Sequence, residues 1–314
     1  MHQESLLRSG RTMGTKIEKI GDSSFIRYLH KDIEVCFCSC GASIYSYSLR
    51  GHEWFFSPLD KNSFLSSKGF YGKTLGPIAG RYKTNGQVIC HGGDHSLSFR
   101  EFAYSFIEKQ NGFFIEFRID VDEDTSFYGN HTSYIVDYEV GENGQILVRY
   151  KIAPKEDTYA SLSLHSYFCF DKEDVRDLTA EIEARQVSLL NEDLSIRGFV
   201  PVSEAFDFKT PKQLKETIVE KENLTICGHY LKNVRYPIRV EGDKCKLSID
   251  SSYPSALIYL DSAPVGEVGL KKQKEKQFSC FVFEPEIDPS DKEELLIKAN
   301  QERTNWILLC FDND

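Results

Sequence analysis

The sequence predicts an all-β protein, a large antiparallel sandwich of two sheets with a few short helices. Short segments of alternating apolar and polar residues recur along the whole 314-residue chain, for example SSFIRYLH at 23–30 and SYIVDYEV at 133–140. This period of two is that of half-buried strands. Helical patterns are weak and do not separate the strands regularly, which disfavours repeated βαβ units and a parallel sheet. Because so many strands need their edges closed or stacked, we expect two sheets packed face to face, with a ligand cleft on one of them.

The clearest single element is a hairpin between residues 133 and 153. A Gly- and Asn-rich turn, GENG at 141–144, joins SYIVDYEV to QILVRYKIA and supplies the positive φ angles that such turns need. Helical signal is confined to stretches such as 171–187, 210–221 and 290–299. We therefore expect antiparallel pairing across the hairpin and short helices in those stretches.

The chain shows no division into separate cores. It has no internal repeat at a fixed period, no Gly/Ser- or Pro-rich linker and no break in composition. We expect residues 13–314 to form a single β-sandwich domain, with Met13 as a candidate natural start and residues 1–12 as a flexible leader.

Composition and charge disfavour several classes of partner. Thirty-eight Lys and Arg stand against 48 Asp and Glu, a formal net charge of -10. No basic run interleaved with aromatics appears, so we expect no nucleic-acid or anionic-membrane surface. The N-terminal stretch lacks the apolar run of a signal peptide, and no segment has the length to cross a bilayer. Nine cysteines, with Cys36, Cys38 and Cys40 alternating along one strand, predict reduced core thiols and a cytoplasmic protein.

Three separated segments each place one titratable side chain beside apolar or glycine-rich sequence. They are CHGG at 90–93, LHSYF at 164–168 and VFEPE at 282–286. Since no cysteine or histidine pairing has metal-ligand spacing, we expect neither a metal nor a cofactor. The candidate acid–base set is His91, His165 and Glu284. Such a set indicates proton transfer on a neutral small molecule, a sugar first of all.

Each of the three residues also has a purely structural interpretation. His165 shares with Tyr167 the more polar face of its strand, where a histidine is often simply hydrogen-bonded. His91 precedes two glycines that let the backbone turn beside a ligand, but an ordinary hairpin turn has the same pattern. Glu284 comes just before a proline at an expected strand end, which predicts a half-buried carboxylate with a raised pKa or an edge glutamate paired with a lysine. Glu286, beyond the proline, is expected to be solvated.

A glycine-rich stretch at 69–86, GFYGKTLGPIAGRYKTNG, contains one arginine, Arg81. The stretch lacks the strand, GK[ST] and helix order of a P-loop, and it lacks the GxGxxG spacing of a dinucleotide site. We therefore reject both interpretations. Arg81 is interpreted as a donor to neutral hydroxyls or as a structural ion-pair partner.

Taken in order, these segments resemble the aldose 1-epimerase (galactose mutarotase) family over most of the chain. LGPIAGRY at 75–82 is similar to the family's GRxAxR stretch, CHGG to its LHGG, LHSYF to its NHSYF and FEPE to its LEPQ-type segment. The resemblance implies a galactose mutarotase-like sandwich. It also implies a cofactor-independent isomerase that interconverts the α and β anomers of an aldose such as galactose or glucose.

The resemblance further implies a role for each candidate residue. Glu284 would be the general base on the anomeric hydroxyl, His165 the general acid on the ring oxygen, and His91 a hydrogen-bonding group near that oxygen. A guanidinium would hold ring hydroxyls, and aromatic rings would stack on the sugar. The candidate substrate-binding residues are Arg81, Tyr167 and His229.

Two departures from the family leave the choice of sugar open. Gly228, in CGHYL at 227–231, stands where the family has an aspartate that binds sugar hydroxyls. DHSLSF follows the HGG segment in place of the usual Gly- and Trp-containing continuation. The alternatives are a non-catalytic carbohydrate-binding or regulatory module on the same fold and an epimerase acting on a hexose phosphate. As partners we expect a small-molecule sugar, no nucleic acid and no membrane, for a monomer or homodimer.

Overall fold

The computed structural model describes residues 14–84, 86–122, 131–203, 206–216 and 238–313, and for residues 223–227 it describes the backbone alone. The expected leader at 1–12, Met13, Gly228 and His229 lie outside the described residues. That residues 13–314 form one domain stays a prediction.

The described residues are rich in strands, as the period of two predicts. In the first half of the chain the strands are β1 (Gly14–Ile20), β2 (Ser23–His30), β3 (Ile33–Cys38), β4 (Ser43–Leu49), β5 (His52–Glu53), β6 (Lys73–Leu75), β7 (Arg81–Thr84), β8 (Gln87–Cys90), β9 (Ala103–Lys109), β10 (Gly112–Val121), β11 (Thr132–Gly141), β12 (Ile146–Pro154) and β13 (Thr158–Tyr159). In the second half they are β14 (Ser163–Phe168), β15 (Thr179–Ile182), β16 (Gln186–Leu190), β17 (Ile196–Pro201), β18 (Lys212–Gln213), β19 (Asn223–Cys227), β20 (Ile238–Glu241), β21 (Cys245–Ser251), β22 (Ser255–Tyr259), β23 (Phe281–Glu286), β24 (Leu296–Ile297) and β25 (Arg303–Asn313). The helical elements are α1 (Lys61–Ser66), α2 (Lys292–Leu295) and 3₁₀ turns at Gly93–His95, Leu97–Phe99, Val175–Asp177 and Leu214–Glu216.

Three sheets carry most of the strands. A five-stranded sheet has the order β1-β2-β3-β4-β5, a nine-stranded sheet the order β18-β15-β20-β21-β25-β12-β11-β10-β9, and a seven-stranded sheet the order β17-β16-β19-β22-β23-β14-β6. Two ribbons, β7-β8 and β13-β24, complete the set within the described residues. All pairings between these strands are antiparallel.

The five- and seven-stranded sheets together face the nine-stranded sheet. Gly72 donates its N–H to the carbonyl of His165 on β14, and its own carbonyl accepts an N–H from β4, so the two smaller sheets join into one layer. Phe311 of β25 contacts Tyr47 of the five-stranded sheet and Phe168 of the seven-stranded sheet, with ring centroids 4.8 and 6.2 Å apart. The predicted all-β antiparallel sandwich is confirmed, with one layer built from two adjoining sheets.

The burial patterns of the two layers differ. In the predicted hairpin, β11 and β12 alternate strictly between buried and half-buried positions, so one face of the nine-stranded sheet packs into the core and the other meets solvent. Every residue of β14 and β23 is buried. One face of these two strands packs into the core, and the other face, which carries the candidate site, is covered as well.

The helical expectation for residues 171–187 is wrong. The stretch contains a 3₁₀ turn, the whole of β15 and the start of β16, and no α-helix. β15 pairs with β20 on one side and with β18 on the other. Pairing within a sheet here overrides a weak local helical preference. The described part of 210–221 is β18 followed by a 3₁₀ turn, whereas 290–299 contains α2, whose first turn is capped by Asp291.

The cysteines and the helices bear on two further expectations. Cys36, Cys38 and Cys40 are buried together in a core cluster that also contains Phe25 and Tyr45, and the cysteines within the described ranges are free thiols. The prediction that this trio packs as core thiols is confirmed. Of the helices in the part of the chain that the structure describes, none has the length and apolar character needed to span a membrane.

Two neighbouring phenylalanines of β10 test the packing of the layers. Phe113 is fully buried and stacks on Tyr28 and Phe37 of the five-stranded sheet, whereas Phe114 points to the opposite, half-exposed face. We expect Phe113→Ala to lower the free energy of unfolding by about 3–5 kcal/mol and Phe114→Ala by about 1 kcal/mol or less, measured by urea denaturation. Equal losses from the two changes would contradict this orientation of β10.

Candidate active site

The candidate site lies on the face of β14, β22 and β23 that points away from the sandwich core. Tyr167 of β14 is opposite Val282 of β23, and Glu284 of β23 is opposite Leu257 of β22. Residues directly opposite each other in antiparallel strands share a face, and so do residues two apart along a strand. His165, Tyr167 and Glu284 therefore lie on the same face of the seven-stranded sheet.

The three residues of the predicted acid–base set are in contact. Nε2 of His165 lies 3.1 Å from Oε1 of Glu284, and Nε2 of His91 lies 3.9 Å from the second oxygen, Oε2. Within the described residues, Oε2 has no hydrogen-bond partner. Both histidines are 5% exposed and Glu284 is 2% exposed. The site thus holds a nearly water-free carboxylate, one oxygen of which has no hydrogen-bond partner among the described residues.

A glycine-rich turn fixes His91. The backbone of Gly92 has a φ of 89°, and a Cβ there would lie 2.4 Å from the carbonyl oxygen of Gly76, so only glycine fits. His91 itself adopts a φ of 50°. Its ring Nδ1 accepts a hydrogen bond from the backbone N–H of Gly80 at 3.1 Å, and the backbone N–H of His91 donates to the carbonyl of Gly80 at 2.9 Å. These bonds orient the ring and put the proton of the neutral imidazole on Nε2.

This tautomer bears on metal binding. One ligand atom from each of His91, His165 and Glu284 lies within 4.8 Å of the other two, a spacing that an ion could bridge. A neutral His91 with its proton on Nε2 offers no lone pair on the atom that faces the carboxylate. We therefore interpret the three residues as a proton-transfer set, in which His165 is within hydrogen-bond distance of Glu284 and His91 lies beside the second carboxylate oxygen. The absence of a metal or cofactor stays a prediction.

Burial affects the two kinds of group in different ways. Burial lowers the pKa of His91 to about 4, opposed by Glu284 and helped by His165 and Arg81. Burial alone would raise the pKa of Glu284, but its interactions with His165, His91 and Arg81 outweigh this, and the pKa lies below its usual value. The expectation of a half-buried carboxylate with a raised pKa is therefore wrong. The carboxylate is fully buried because β23 is an interior strand of the sheet, and its pKa is lowered because two imidazoles flank it.

Aromatic rings enclose the acid–base set. The ring of Phe70 meets His91 edge-on at 4.8 Å and lies 5.6 Å from the ring of His165. Tyr167 is a predicted substrate-binding residue. Its ring centroid lies 5.0 Å from that of His165 and 4.8 Å from that of Tyr71. It is buried, and burial raises the pKa of its phenol well above the usual range. Tyr167 therefore stays neutral and lies beside the set.

A small cleft opens beside the set. Arg81, the second predicted substrate-binding residue, lines it together with Gly80, His91 and Glu286. The residues that line the cleft thus include a guanidinium, an imidazole and a carboxyl group. His229, the third predicted substrate-binding residue, lies outside the described residues.

The expectation that Glu286 is solvated is wrong. Its side chain is 2% exposed, and it lies opposite Ser255 of β22 on the same face as Glu284. The proline between the two glutamates does not end the strand, because β23 continues to pair with β22 through it. Its position two residues after Glu284 in one strand was the sequence feature that could have placed Glu286 on the same face. Phe70, in a loop before β6, offered no comparable signal in the sequence.

Fold and site together define an antiparallel β-sandwich protein with a buried His–His–Glu set suited to acid–base chemistry. A family model described as Aldose 1-epimerase matches residues 26–285, a range that covers most of the chain and contains the whole set. The chain belongs to the aldose 1-epimerase family.

Solved structures share the fold. The GalM/aldose epimerase homologue from C. elegans superposes with a TM-score of 0.81 at 19% identity, over 93% of this chain and 99% of that one. Galactose 1-epimerase from Lactobacillus acidophilus NCFM gives a TM-score of 0.84 at 16% identity, over 96% and 99% of the two chains. Likeness at such identities shows the fold alone. No protein with a curated description is significantly similar in sequence to this chain.

The buried His91 makes a prediction about pH. Its folded pKa of about 4 lies below the unfolded value of about 6.5, so between these values the unfolded chain binds more protons. The free energy of unfolding therefore rises with pH in this window, and the contribution of His91 is complete above about pH 6.5 and is lost as the pH falls towards 4. We expect His91→Gln to reduce the difference in unfolding free energy between about pH 7 and pH 4.5 by roughly 2–3 kcal/mol.

Urea denaturation at the two pH values measures this difference. The matched control is His131→Gln, which removes an exposed histidine that contacts Asp122. A wild-type pH dependence in His91→Gln would contradict a neutral, buried imidazole at this position.

Proposed function

We propose that the protein is a mutarotase that interconverts the α and β anomers of an unphosphorylated aldose such as galactose or glucose. The observation that carries the proposal is the 3.1 Å contact between Nε2 of His165 and Oε1 of Glu284, with Oε2 of the same carboxylate left without a hydrogen-bond partner beside His91. The two oxygens that react in ring opening, the anomeric hydroxyl and the ring oxygen, are bonded to the same carbon. A base and an acid that serve both must therefore be close neighbours, as these two are.

The protons of the reaction balance with Glu284 and His165 alone. Glu284, as carboxylate, removes the proton of the anomeric hydroxyl while His165, as imidazolium, gives a proton to the ring oxygen. The C1–O5 bond breaks, an aldehyde forms at C1, and the ion pair becomes a neutral acid and a neutral imidazole. Rotation about C1–C2 presents the other face of the aldehyde, and the same two transfers in reverse close the ring as the opposite anomer.

The surroundings of the pair support these roles. A pKa of Glu284 below its usual value keeps the base ionised at neutral pH, and burial of the site strengthens the interactions that stabilise charge as it moves. His91 is neutral with its proton on Nε2, so it can donate a hydrogen bond near the reacting oxygens. Arg81 would hold ring hydroxyls, and Tyr167 would pack against the sugar.

Charge in the described cleft favours an unphosphorylated sugar. One guanidinium, that of Arg81, lies beside the two carboxyl groups of Glu284 and Glu286, and such a cleft offers a phosphate dianion little stabilisation. A cytoplasmic location and a monomeric or homodimeric state remain predictions from the sequence.

The isosteric change Glu284→Gln tests the proposal. We expect it to lower kcat about 10²- to 10⁴-fold with a much smaller effect on KM, because it removes the base and keeps the volume of the side chain. His165→Ala should show a loss in kcat of similar order. Polarimetry of freshly dissolved α-galactose and α-glucose measures both.

Glu53→Gln is the matched control. Glu53 is also a largely enclosed carboxyl group, but it binds the backbone N–H groups of Tyr47 and Phe55 in the five-stranded sheet, so its replacement should leave the rate near that of the wild type. If the wild type accelerates mutarotation of no aldose or hexose phosphate in a panel, the enzyme proposal is wrong. Sugar binding without turnover would then favour a carbohydrate-binding module.

A further inference from the structure

The carboxyl group that lines the cleft, that of Glu286, has no part in the proposed acid–base mechanism. Glu286 follows Glu284 by two residues on β23, so both side chains leave the same face of the sheet. Its backbone is held by pairing with Ser255 of β22, whose hydroxyl donates to the carbonyl of Glu286. The position of its side chain at the cleft is thus fixed by an interior strand.

The carboxyl group of Glu286 is buried and incompletely bonded. The side chain is 2% exposed, and Oε2 has no hydrogen-bond partner among the residues that the structure describes. Buried polar atoms are nearly always paired, and an unpaired one at a cleft points to a partner that arrives with a ligand. The cleft beside it is the one that contains Arg81 and His91.

The backbone across the cleft makes room for this group. Gly80 has a φ of 79°, and a Cβ there would lie 2.4 Å from Oε2 of Glu286. Any other residue at position 80 would displace the carboxyl group. The same glycine donates its N–H to Nδ1 of His91 and precedes Arg81, so one short segment serves the histidine, the guanidinium and Glu286 together.

Neighbouring charges indicate the state of the group. Burial, and then the charges of Glu284 and Asp288, raise the pKa of Glu286 well above its usual value, opposed by Arg81. A raised pKa favours the protonated carboxyl group, which is both a donor and an acceptor. A hydroxyl group is also both, which makes a sugar hydroxyl its natural partner.

We propose that Glu286 binds the substrate directly, by a hydrogen bond to one ring hydroxyl of the aldose, and that it thereby selects among sugars that differ at that hydroxyl. The proposal rests on the proposed function and adds a specificity-determining residue to it. Glu286 is not the base, because His165 pairs with Glu284.

The experiment pairs a change in the protein with a change in the sugar. We would measure kcat/KM by polarimetry for the wild type, Glu286→Leu and Glu286→Gln on the preferred aldose and on each of its monodeoxy analogues. Removal of one particular hydroxyl should lower kcat/KM of the wild type about 10- to 100-fold. The same removal should lower kcat/KM of Glu286→Leu less than about 3-fold. Glu286→Gln, which can still donate and accept, should keep most of the wild-type discrimination.

The controls separate this inference from the proposed function. Thermal unfolding of each variant reports folding, and Glu53→Gln should lose as much on each deoxy analogue as the wild type does. If the wild type is active and removal of each hydroxyl lowers kcat/KM of Glu286→Leu as much as that of the wild type, the inference is wrong and the proposed function stands. If the wild type accelerates no sugar, both are wrong.

Discussion

The burial of one carboxylate inside a sheet is the constraint on which the candidate site depends. Glu284 lies on an interior strand where water cannot solvate its charge, and an ionised carboxylate in such a place needs partners that compensate for the lost hydration. His165 supplies one at 3.1 Å, and His91 lies 3.9 Å from the other oxygen. The same contacts that make the buried charge tolerable bring an acid beside a base. Stabilisation of the buried charge and the proposed proton transfer therefore depend on the same three side chains.

The scaffold turns this contact into a fixed geometry. β14 and β23 are neighbouring interior strands of the seven-stranded sheet and are buried on both faces, so His165 and Glu284 are held by strand register. His91 comes from a separate ribbon, and its position depends on backbone contacts that only glycines permit. Gly92 approaches the carbonyl of Gly76, and Gly80 bonds to the imidazole. Two rigid strands and one tight turn thus meet at a single carboxylate.

Local patterns in the sequence were enough for the strands and for the direction of single side chains, but not for which strands meet. Alternation gave the hairpin of β11 and β12 and put His165 and Tyr167 on one face. The contact of His165 with Glu284 joins residues more than a hundred positions apart, so it could be anticipated only through acid–base chemistry and family resemblance. The errors have the same origin. Whether β23 lies at an edge or in the interior depends on its neighbours, and that decided the burial of both Glu284 and Glu286.

The two glutamates of β23 show how one strand can hold a carboxyl group in two states. Both are 2% exposed and they are two residues apart, so burial raises the pKa of each. Glu284 is flanked by imidazoles, which outweigh burial and lower its pKa, whereas Glu286 faces the charge of Glu284 and its pKa is well above the usual range. Ionising the first opposes ionising the second, so the pKa of Glu284 is driven down and that of Glu286 is driven up. In the proposed mechanism this difference would let one carboxyl group accept a proton from the sugar while its neighbour donates a hydrogen bond to another hydroxyl.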